Sequence, residues 1–293
     1  MMIRMAEPRP NILVIMSDQH RGDTLGIEGH PAVLTPNLDF LAAGGARFSR
    51  AYSTCPMCIP ARRSLMSGQF PSTHGMFCNV EEQEWNPPTT LPAELRNAGY
   101  HTGLVGRDMH LYPKRKRYGF DHMVHSGNLH RDDVYDPLPG RGFNPHWGHG
   151  LGANSWTARP WHLAEELHPA HRTVDDALTF LERRDPTCPF FLVVSFMGPH
   201  PPLYPPSFYF DRYLRLDLPP PVIGDWAERP PDDGRGLDPG GPRVVLEGEA
   251  LRSAHAGYYG LVNYIDDQIN RLLNPLAVLD ATTMANTIVV YIS

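Results

Sequence analysis

The sequence predicts an α/β fold in which a mostly parallel β-sheet is flanked by helices. Short apolar runs rich in β-branched residues recur along the chain and end in polar loops, which is typical of strands buried on both faces. Stretches with helical features alternate with these runs, and such alternation favours a parallel sheet. A length of 293 residues suits one large α/β domain or about two average domains. We therefore expect a folded protein with a sizeable core.

The first strand and helix are predicted near the N-terminus. Residues 11–16, Asn-Ile-Leu-Val-Ile-Met, predict a buried strand that runs into the polar residues 17–19. Thr35 and Pro36 supply an N-cap and a first-turn proline for a helix that ends at Gly44. Further along we predict a strand over 46–52, a helix over 61–66, a helix over 91–98 and a strand over 101–105.

Two stretches predict long loops. Residues 110–171 are rich in His, Trp, Gly, Pro and Asn with little periodicity, and they predict a long insertion over the sheet edge. Residues 217–243 are rich in Pro, Gly and Asp and predict a loop or linker. Apolar residues on one face predict an amphipathic helix over 250–273, in which Tyr258 is interpreted as a packing residue. The other elements predicted are a helix over 173–184 and strands over 189–196 and 287–292.

Composition and charge exclude several classes of protein. Hydrophobic residues make up 41% and charged residues 20% of the chain, which argues against disorder and coiled coils. With a formal net charge of −6, the chain lacks the excess of basic residues that is typical of nucleic-acid binders. The basic run at 114–117 is interpreted as a solvated loop. No apolar stretch is long enough for a membrane span, and residues 1–10 lack a signal-peptide core. We therefore expect a cytoplasmic protein that binds no nucleic acid and has no membrane span.

Polar residues that follow predicted strands are candidates for one site. Asp18, Gln19 and His200 lie in such loops, and Cys58 joins them if the strand predicted before it is central. In open α/β sheets the ligand crevice lies outside the carboxyl ends of the strands, so these residues can converge there. Cys58 also forms a C-x-x-C pair with Cys55, which is alternatively a redox motif or half of a zinc site. A zinc site would need histidines from the insertion, because the other two of the four cysteines do not form a second C-x-x-C pair.

Residues 58–68 carry the sharpest motif. They read Cys-Ile-Pro-Ala-Arg-Arg-Ser-Leu-Met-Ser-Gly, which resembles the sulfatase signature Cys-x-Pro-x-Arg. Ala61 and Gln69 stand where serine and arginine are common in that family. The segments that resemble other family motifs follow in the expected order and cover essentially the whole chain; they are residues 11–21, 70–75, 196–201 and 258–273. The chain thus resembles a formylglycine-dependent type I sulfatase, which implies an incomplete alkaline phosphatase/sulfatase-like fold.

The resemblance implies a catalytic role for four residues. Cys58 is oxidised to formylglycine and hydrated to a gem-diol, one hydroxyl of which attacks sulfur to give a covalent sulfated intermediate. Arg62, one helical turn on, stabilises the charge of the diol. His110 and His200 serve as proton donor, base or oxyanion partners, and His200 also binds the sulfate.

Residues 106–110 depart from the family pattern. The family usually has Gly-Lys-x-His here, whereas this chain reads Gly-Arg-Asp-Met-His, with one more residue and no lysine. His110 is transferred from the family motif. Arg107 is expected to be the cation that binds the substrate in place of the lysine.

The resemblance also implies a metal ion and two partners. Asp18 is expected to be the main ligand and Gln19 a second one, while Ser17 stands where many members have a first aspartate. Carboxylate and amide oxygens suit a hard divalent cation, with Ca²⁺ favoured and Mn²⁺ or Mg²⁺ as alternatives. The partners are a small-molecule sulfate ester and the maturation enzyme that makes formylglycine. Substrate identity and oligomeric state stay open.

The end of the chain bears on activity. Residues 1–293 are expected to be the N-terminal catalytic domain of a sulfatase whose C-terminal part is absent. In this family an Asp followed by His or Asn comes directly after the strand that resembles 287–292, and a later lysine contacts the substrate. Without them we expect weak metal binding. The alternatives are a phosphonate or phosphate ester hydrolase of the same superfamily, and a non-catalytic member that binds an anion or acts as a scaffold.

Overall fold

The computed structural model describes residues 9–110, 112–113, 115–126, 150–152, 154–227 and 244–293, without the side chains of 277–279. One five-stranded sheet runs through the described part, with strand order β3-β2-β4-β1-β5. Every pairing between neighbouring strands is parallel. The strands are β1 (Asn11–Asp18), β2 (His101–Gly106), β3 (His122–His125), β4 (Phe190–Pro199) and β5 (Thr287–Ile292). The prediction of a parallel α/β fold is confirmed.

Helices cover both faces of this sheet. Those of four or more residues that the structure describes are α1 (Pro36–Ala43), α2 (Cys58–Ser67), α3 (Pro71–His74), α4 (Leu91–Asn97), α5 (Pro169–Arg183), α6 (Ser207–Leu214), α7 (Gly248–Leu279) and α8 (Ala281–Ala285). One core cluster joins α1, α5 and α7 to the sheet, and another joins α2 to the opposite face. None of the helices described is long and apolar enough to cross a membrane.

The central strand β4 shows why the sequence folds in this way. Its sequence Phe-Phe-Leu-Val-Val-Ser-Phe-Met-Gly-Pro is buried at nearly every position, because β1 and β2 pair with its two edges and helices cover its faces. The central position in the sheet therefore accounts for the continuous apolar run of β4.

The long helix α7 confirms the predicted amphipathic pattern. It extends beyond the predicted range at both ends, and its residues Leu261, Ile265, Ile269 and Leu272 are buried against the sheet and α5. Helix α6 packs through Phe210 against another side of α7 and forms a third cluster with it. The sequence did not predict α6. Helix α7 thus links two core clusters.

The predicted strand over 46–52 is wrong. These residues form neither strand nor helix, and Phe48 and Tyr52 are 80% and 85% exposed. Both edges of β1 are occupied by β4 and β5, so this segment has no place beside the first strand. Phe48 and Tyr52 therefore lie on a surface loop.

The predicted insertion and linker are only partly described. The edge strand β3 lies inside the predicted insertion, as does a single turn of 3₁₀-helix at Glu165–Leu167. Residues 127–149 of the insertion and 228–243 of the linker lie outside the described residues. Residues 217–227 contain no helix or strand.

The N-terminus of α1 is capped from a distance. Thr35 occupies the N-cap position as predicted, but its hydroxyl donates to Asp39 Oδ1 (2.9 Å) and does not cap the helix. Asp266 of α7 instead accepts hydrogen bonds from the backbone amides of Leu38 (2.8 Å) and Asn37 (3.1 Å). A carboxylate from another helix therefore satisfies the free amides of α1.

Candidate active site

The ends of three strands and the start of one helix meet at one edge of the sheet. Asp18 ends β1, Arg107 follows β2, His200 follows β4, and Cys58 begins α2. The backbone amide of Arg107 also donates to Ser195 O of β4 (2.7 Å), which fixes the loop after β2. A carboxylate oxygen, a sulfur and a ring nitrogen of Asp18, Cys58 and His200 lie within 4.8 Å of one another.

Helix α2 presents Cys58 at its first turn. Met57 is its extended N-cap residue, and Gly68 closes the helix in the left-handed region with φ 67°. The amide of Ile59 donates to Asn79 Oδ1 (3.1 Å), so a side chain from a later loop supplies the cap that Met57 lacks. The Cys58 thiol is partly buried next to a helix N-terminus, where a negative charge is stabilised.

Two buried guanidinium groups converge on the carboxylate of Asp18. Arg62 Nη2 donates to Asp18 Oδ2 at 2.9 Å, and Arg107 Nη1 donates to the same oxygen at 2.5 Å. The side chains of Arg62 and Arg107 are only 5% and 6% exposed. Two positive charges and one negative charge give these three residues a net positive charge, which favours an anionic ligand.

The charge of Asp18 is held by its neighbours. Burial by itself would raise the pKa of Asp18, but Arg107 and Arg62 outweigh burial and leave this pKa below its ordinary value. The carboxylate is therefore ionised at neutral pH.

His110 is a neutral hydrogen-bond donor in this arrangement. Arg107 Nη2 lies 3.1 Å from His110 Nε2, and because a guanidinium group only donates, this ring nitrogen accepts. The proton of the neutral ring is then on Nδ1. Burial first, and the positive charges of Arg107 and Arg62 next, lower the pKa of His110, although Asp108 opposes them. His110 can therefore donate a hydrogen bond from Nδ1, but its ring is neutral at neutral pH and has no extra proton to give as a general acid.

His200 has the same tautomer. Its Nδ1 lies 2.6 Å from Pro201 O, a carbonyl that can only accept, so Nδ1 carries the proton. Burial first, and then the charge of Arg107, lower the pKa of His200. At neutral pH its Nε2 therefore has a lone pair that can accept a proton.

Gln19 directly follows Asp18 in the loop after β1. Gln19 is exposed, its φ is 61°, and its carbonyl accepts a hydrogen bond from the hydroxyl of Tyr258 (2.7 Å). Ser17 is buried, and its hydroxyl lies 2.7 Å from the Tyr291 hydroxyl of β5. Tyr258, interpreted from the sequence as a packing residue, thus also holds the loop after β1.

The donors in the described residues fit one side of a divalent-cation site. Asp18 provides a carboxylate beside Cys58 and His200, and such an oxygen suits a hard cation. Its Oδ2 atom also accepts from both arginines, so Asp18 alone does not complete a coordination shell. Gln19 as the second ligand stays a prediction.

Sequence reasoning missed Asp108 and Asn79. The carbonyl of Asp108 accepts from Arg62 Nη1 (3.1 Å), and Asn79 caps α2. The extra residue in segment 106–110 was the one available signal for Asp108. For Asn79 the sequence offers no signal, because its partner Ile59 lies 20 positions earlier in the chain.

Comparisons with known proteins agree on one family. The family model named Sulfatase matches residues 10–293. An arylsulfatase of Clostridium perfringens is 40% identical over 305 residues, covering 97% of this chain and 62% of the relative. A choline-sulfatase of Rhizobium meliloti is 30% identical over 298 residues, covering 93% of this chain and 55% of the relative. This chain therefore spans 55–62% of the length of these two curated relatives.

A solved structure shows the same fold. The phosphonate monoester hydrolase of Agrobacterium radiobacter superimposes with a TM-score of 0.73 at 23% identity, covering 97% of this chain and 62% of that one. At this identity the likeness extends to the fold alone.

Proposed function

We propose, from the premise that this chain belongs to the sulfatase family, that it hydrolyses sulfate monoesters at the site around Cys58. The observation that carries the proposal is the placement of the Cys-x-Pro-x-Arg motif. Its cysteine begins α2 beside Asp18 and His200, and its arginine is buried against the same aspartate. Residues 1–293 are proposed to be a catalytic domain.

The two arginines suit the substrate. A sulfate monoester carries one negative charge, and the group formed by Arg62, Arg107 and Asp18 has an excess of one positive charge. Both guanidinium groups are nearly buried, so water competes little for them. Arg107 and Arg62 are proposed to orient the ester oxygens above position 58.

Position 58 is proposed to supply the nucleophile. As formylglycine it provides a hydrated aldehyde, one hydroxyl oxygen of which attacks the sulfur while the S–O bond to the leaving alcohol breaks. The second hydroxyl then loses its proton, the C–O bond to the sulfate breaks, and sulfate leaves as the aldehyde re-forms. The N-terminus of α2 and the guanidinium of Arg62, four residues further along the helix, favour negative charge at the attacking oxygen.

The two histidines divide the proton chemistry. The Nε2 lone pair of His200 is proposed to accept a proton from the nucleophile, since Nδ1 is occupied by Pro201 O. His110 is proposed to donate a hydrogen bond from Nδ1 to an ester oxygen and so to stabilise developing charge.

A divalent cation, most simply Ca²⁺, completes the proposal. Asp18 would hold it, with Gln19 as the second ligand from this loop. Such a cation neutralises charge on the ester oxygens. The maturation enzyme that oxidises Cys58 and a small-molecule sulfate ester are the proposed partners.

Two measurements test the function. Trypsin cleavage after Arg50 and Arg62 releases a peptide that contains both Cys55 and Cys58. In protein co-expressed with a maturation enzyme, tandem mass spectrometry should find the aldehyde at position 58 and a thiol at position 55. Active protein with an unmodified thiol at 58 contradicts the proposal.

The substrate is tested with matched chromogenic esters. Hydrolysis of 4-nitrophenyl sulfate should exceed that of 4-nitrophenyl phenylphosphonate, and Cys58→Ala should abolish it. Turnover of the phosphonate alone would favour the rival hydrolase. No turnover of either ester, with the aldehyde present, would favour the non-catalytic alternative.

A further inference from the structure

The segment that departs from the family pattern contains a residue that touches two site residues. Asp108 lies between Arg107 and His110, where this chain has one more residue than Gly-Lys-x-His. Its carbonyl accepts a hydrogen bond from Arg62 Nη1 at 3.1 Å. Its carboxylate Oδ1 accepts one from the backbone amide of His110 at 3.3 Å.

The longer segment is accommodated by unusual backbone conformations. His110 has φ 51°, in the left-handed region that a residue with a β-carbon adopts only at a cost. Asp108 bonds the amide two residues on, as aspartates do in turns that mimic a backbone turn. This bond is therefore the feature that offsets the cost of holding His110 in place.

The surroundings of Asp108 favour its ionised form. The His110 and His125 rings, the His110 backbone amide and Arg62 of α2 keep the pKa of Asp108 below its ordinary value, although burial opposes this. Arg115 and Arg117 line the same small cavity as Asp108. An ionised carboxylate here offsets part of the positive charge beside the substrate site.

We propose that Asp108 is a positioning residue for the reaction: its carboxylate holds His110 and its carbonyl holds Arg62 against Asp18. This role rests on the proposed sulfate ester hydrolysis. Asp108 touches neither the ester nor the nucleophile in this scheme. Its effect on catalysis is transmitted through His110 and Arg62.

Three variants test the role by steady-state kinetics on 4-nitrophenyl sulfate. Asp108→Ala removes the acceptor for the His110 amide and should lower kcat by about 10–100-fold with little change in KM. Asp108→Asn keeps an oxygen acceptor at the same place and should recover about tenfold of that loss. Asp185 makes the same kind of turn, with Oδ1 accepting from the Thr187 amide (2.8 Å), far along the sequence from the site. Asp185→Ala should therefore leave kcat unchanged.

Hydrogen exchange separates this role from the proposed function. The amide of His110 should exchange slowly in the wild type and in Asp108→Asn but faster in Asp108→Ala, whether or not the protein hydrolyses sulfate esters. Unchanged exchange in Asp108→Ala would overturn the positioning role even in an active enzyme. Equal kcat losses in Asp108→Ala and Asp185→Ala would also overturn it, because the effect would then be general destabilisation. An inactive wild type that shows the expected exchange would contradict the function alone.

Discussion

The carboxylate of Asp18 has two tasks that compete for its oxygens. It neutralises two buried guanidinium groups, and it is the proposed main ligand of a divalent cation. A cation that binds Asp18 adds positive charge to a site that already holds Arg62 and Arg107. An anion can then contact both the cation and the arginines, and this favours its binding. Affinity for cation and for sulfate ester should therefore be mutually reinforcing.

Asp18→Asn should abolish Ca²⁺ binding and also destabilise the protein. The amide keeps the shape of the side chain but removes the charge, which leaves two buried arginines unpaired at a cost of about 3 kcal/mol. Isothermal titration calorimetry measures the ion binding, and urea denaturation measures the free energy of unfolding. Asp23→Asn is the matched control in the same loop, because its bond to Arg21 is exposed and contributes little. Unchanged Ca²⁺ affinity in Asp18→Asn would exclude Asp18 as the ligand.

Helix α1 depends on α7 for the hydrogen bonds at its N-terminus. Asp266 is fully buried and accepts from the amides of Asn37 and Leu38 and from the Asn37 side chain (2.8 Å). Burial raises the pKa of Asp266 to about 6, although the hydrogen bonds from α1 oppose the shift. The contact fixes the loop before α1 onto the long helix that also holds the loop after β1 through Tyr258.

Asp266→Ala should lower the free energy of unfolding by about 2–4 kcal/mol. It leaves two buried amides of α1 without a partner, and each such loss costs about 1–3 kcal/mol. The neighbouring Asp267 accepts one bond, from the Tyr209 hydroxyl (2.7 Å), so Asp267→Ala should cost about 1 kcal/mol. Urea denaturation of the two variants makes the comparison. Equal losses would show that Asp266 is not the cap.

The loop before α1 should make stability depend on pH. His30 Nδ1 accepts from the amides of Val33 (2.9 Å) and Ala32 (3.2 Å), so the ring must be unprotonated at this nitrogen. Burial lowers the pKa of His30, and Asp23 opposes the shift. Because the folded pKa lies below the unfolded one, the unfolded chain binds the proton first as pH falls through about 6.5, and stability is lost below that value.

Denaturation at pH 7.5 and 5.5 checks this expectation. His30→Asn keeps a side-chain acceptor that does not titrate, so the variant should lose less stability over this interval than the wild type. The difference should be no more than about 1 kcal/mol, since the ring is partly exposed. An identical pH dependence in both proteins would show that His30 titrates in the same way folded and unfolded.

The sheet has two very different edges among the described residues. Strand β3 is short, and its ends are histidines. Strand β5 has six residues without charge or proline, pairs only with β1, and exposes Ile288 and Val290 at 50% and 37%. An uncharged apolar edge of this kind is a template for pairing with another chain.

Ile288→Lys should reduce self-association of this chain. A charge beside the open edge of β5 disfavours pairing of two such edges, while the lysine side chain at a half-exposed position costs the fold about 1 kcal/mol or less. Light scattering over a range of protein concentrations measures the association. Lysine at Ile223, which is exposed on a loop, is the control and should leave association unchanged. If both substitutions act equally, charge alone explains the effect.

Elements with a continuous hydrophobic pattern could be predicted from the sequence, whereas features that depend on contacts between distant residues could not. Strands β1, β4 and β5 and helix α7 were predicted because each has an apolar run or face that only burial explains. Strand β3 has four residues, too few for a pattern. The segment 46–52 has no regular alternation of apolar and polar residues, and it forms no strand in the described part of the chain.

The residues of the site also fall into those that the sequence identified and those that it did not. Asp18, Cys58, Arg62, Arg107, His110 and His200 were named from loops and motifs, and the structure places them together. Asp108 and Asp266 form hydrogen bonds to residues 46 and 228 positions away, and the sequence does not identify partners at that distance. The tautomers of the histidines likewise follow from contacts that the sequence does not contain.

The order of the strands in the sheet differs from the order in which they are synthesised. This difference determines how long Cys58 stays in an incompletely folded chain during translation. Strand β4 pairs with β1 on one edge and β2 on the other, yet it is made after both. Until residue 199 has been translated, the sheet has a gap at its centre and His200 is missing from the site. At about 5–20 residues per second, the ribosome needs roughly 7–30 s to travel from Cys58 to the end of β4. During that interval the Cys58 thiol lies in a chain whose sheet is incomplete, and the proposed maturation enzyme would have seconds rather than minutes to reach it in that state.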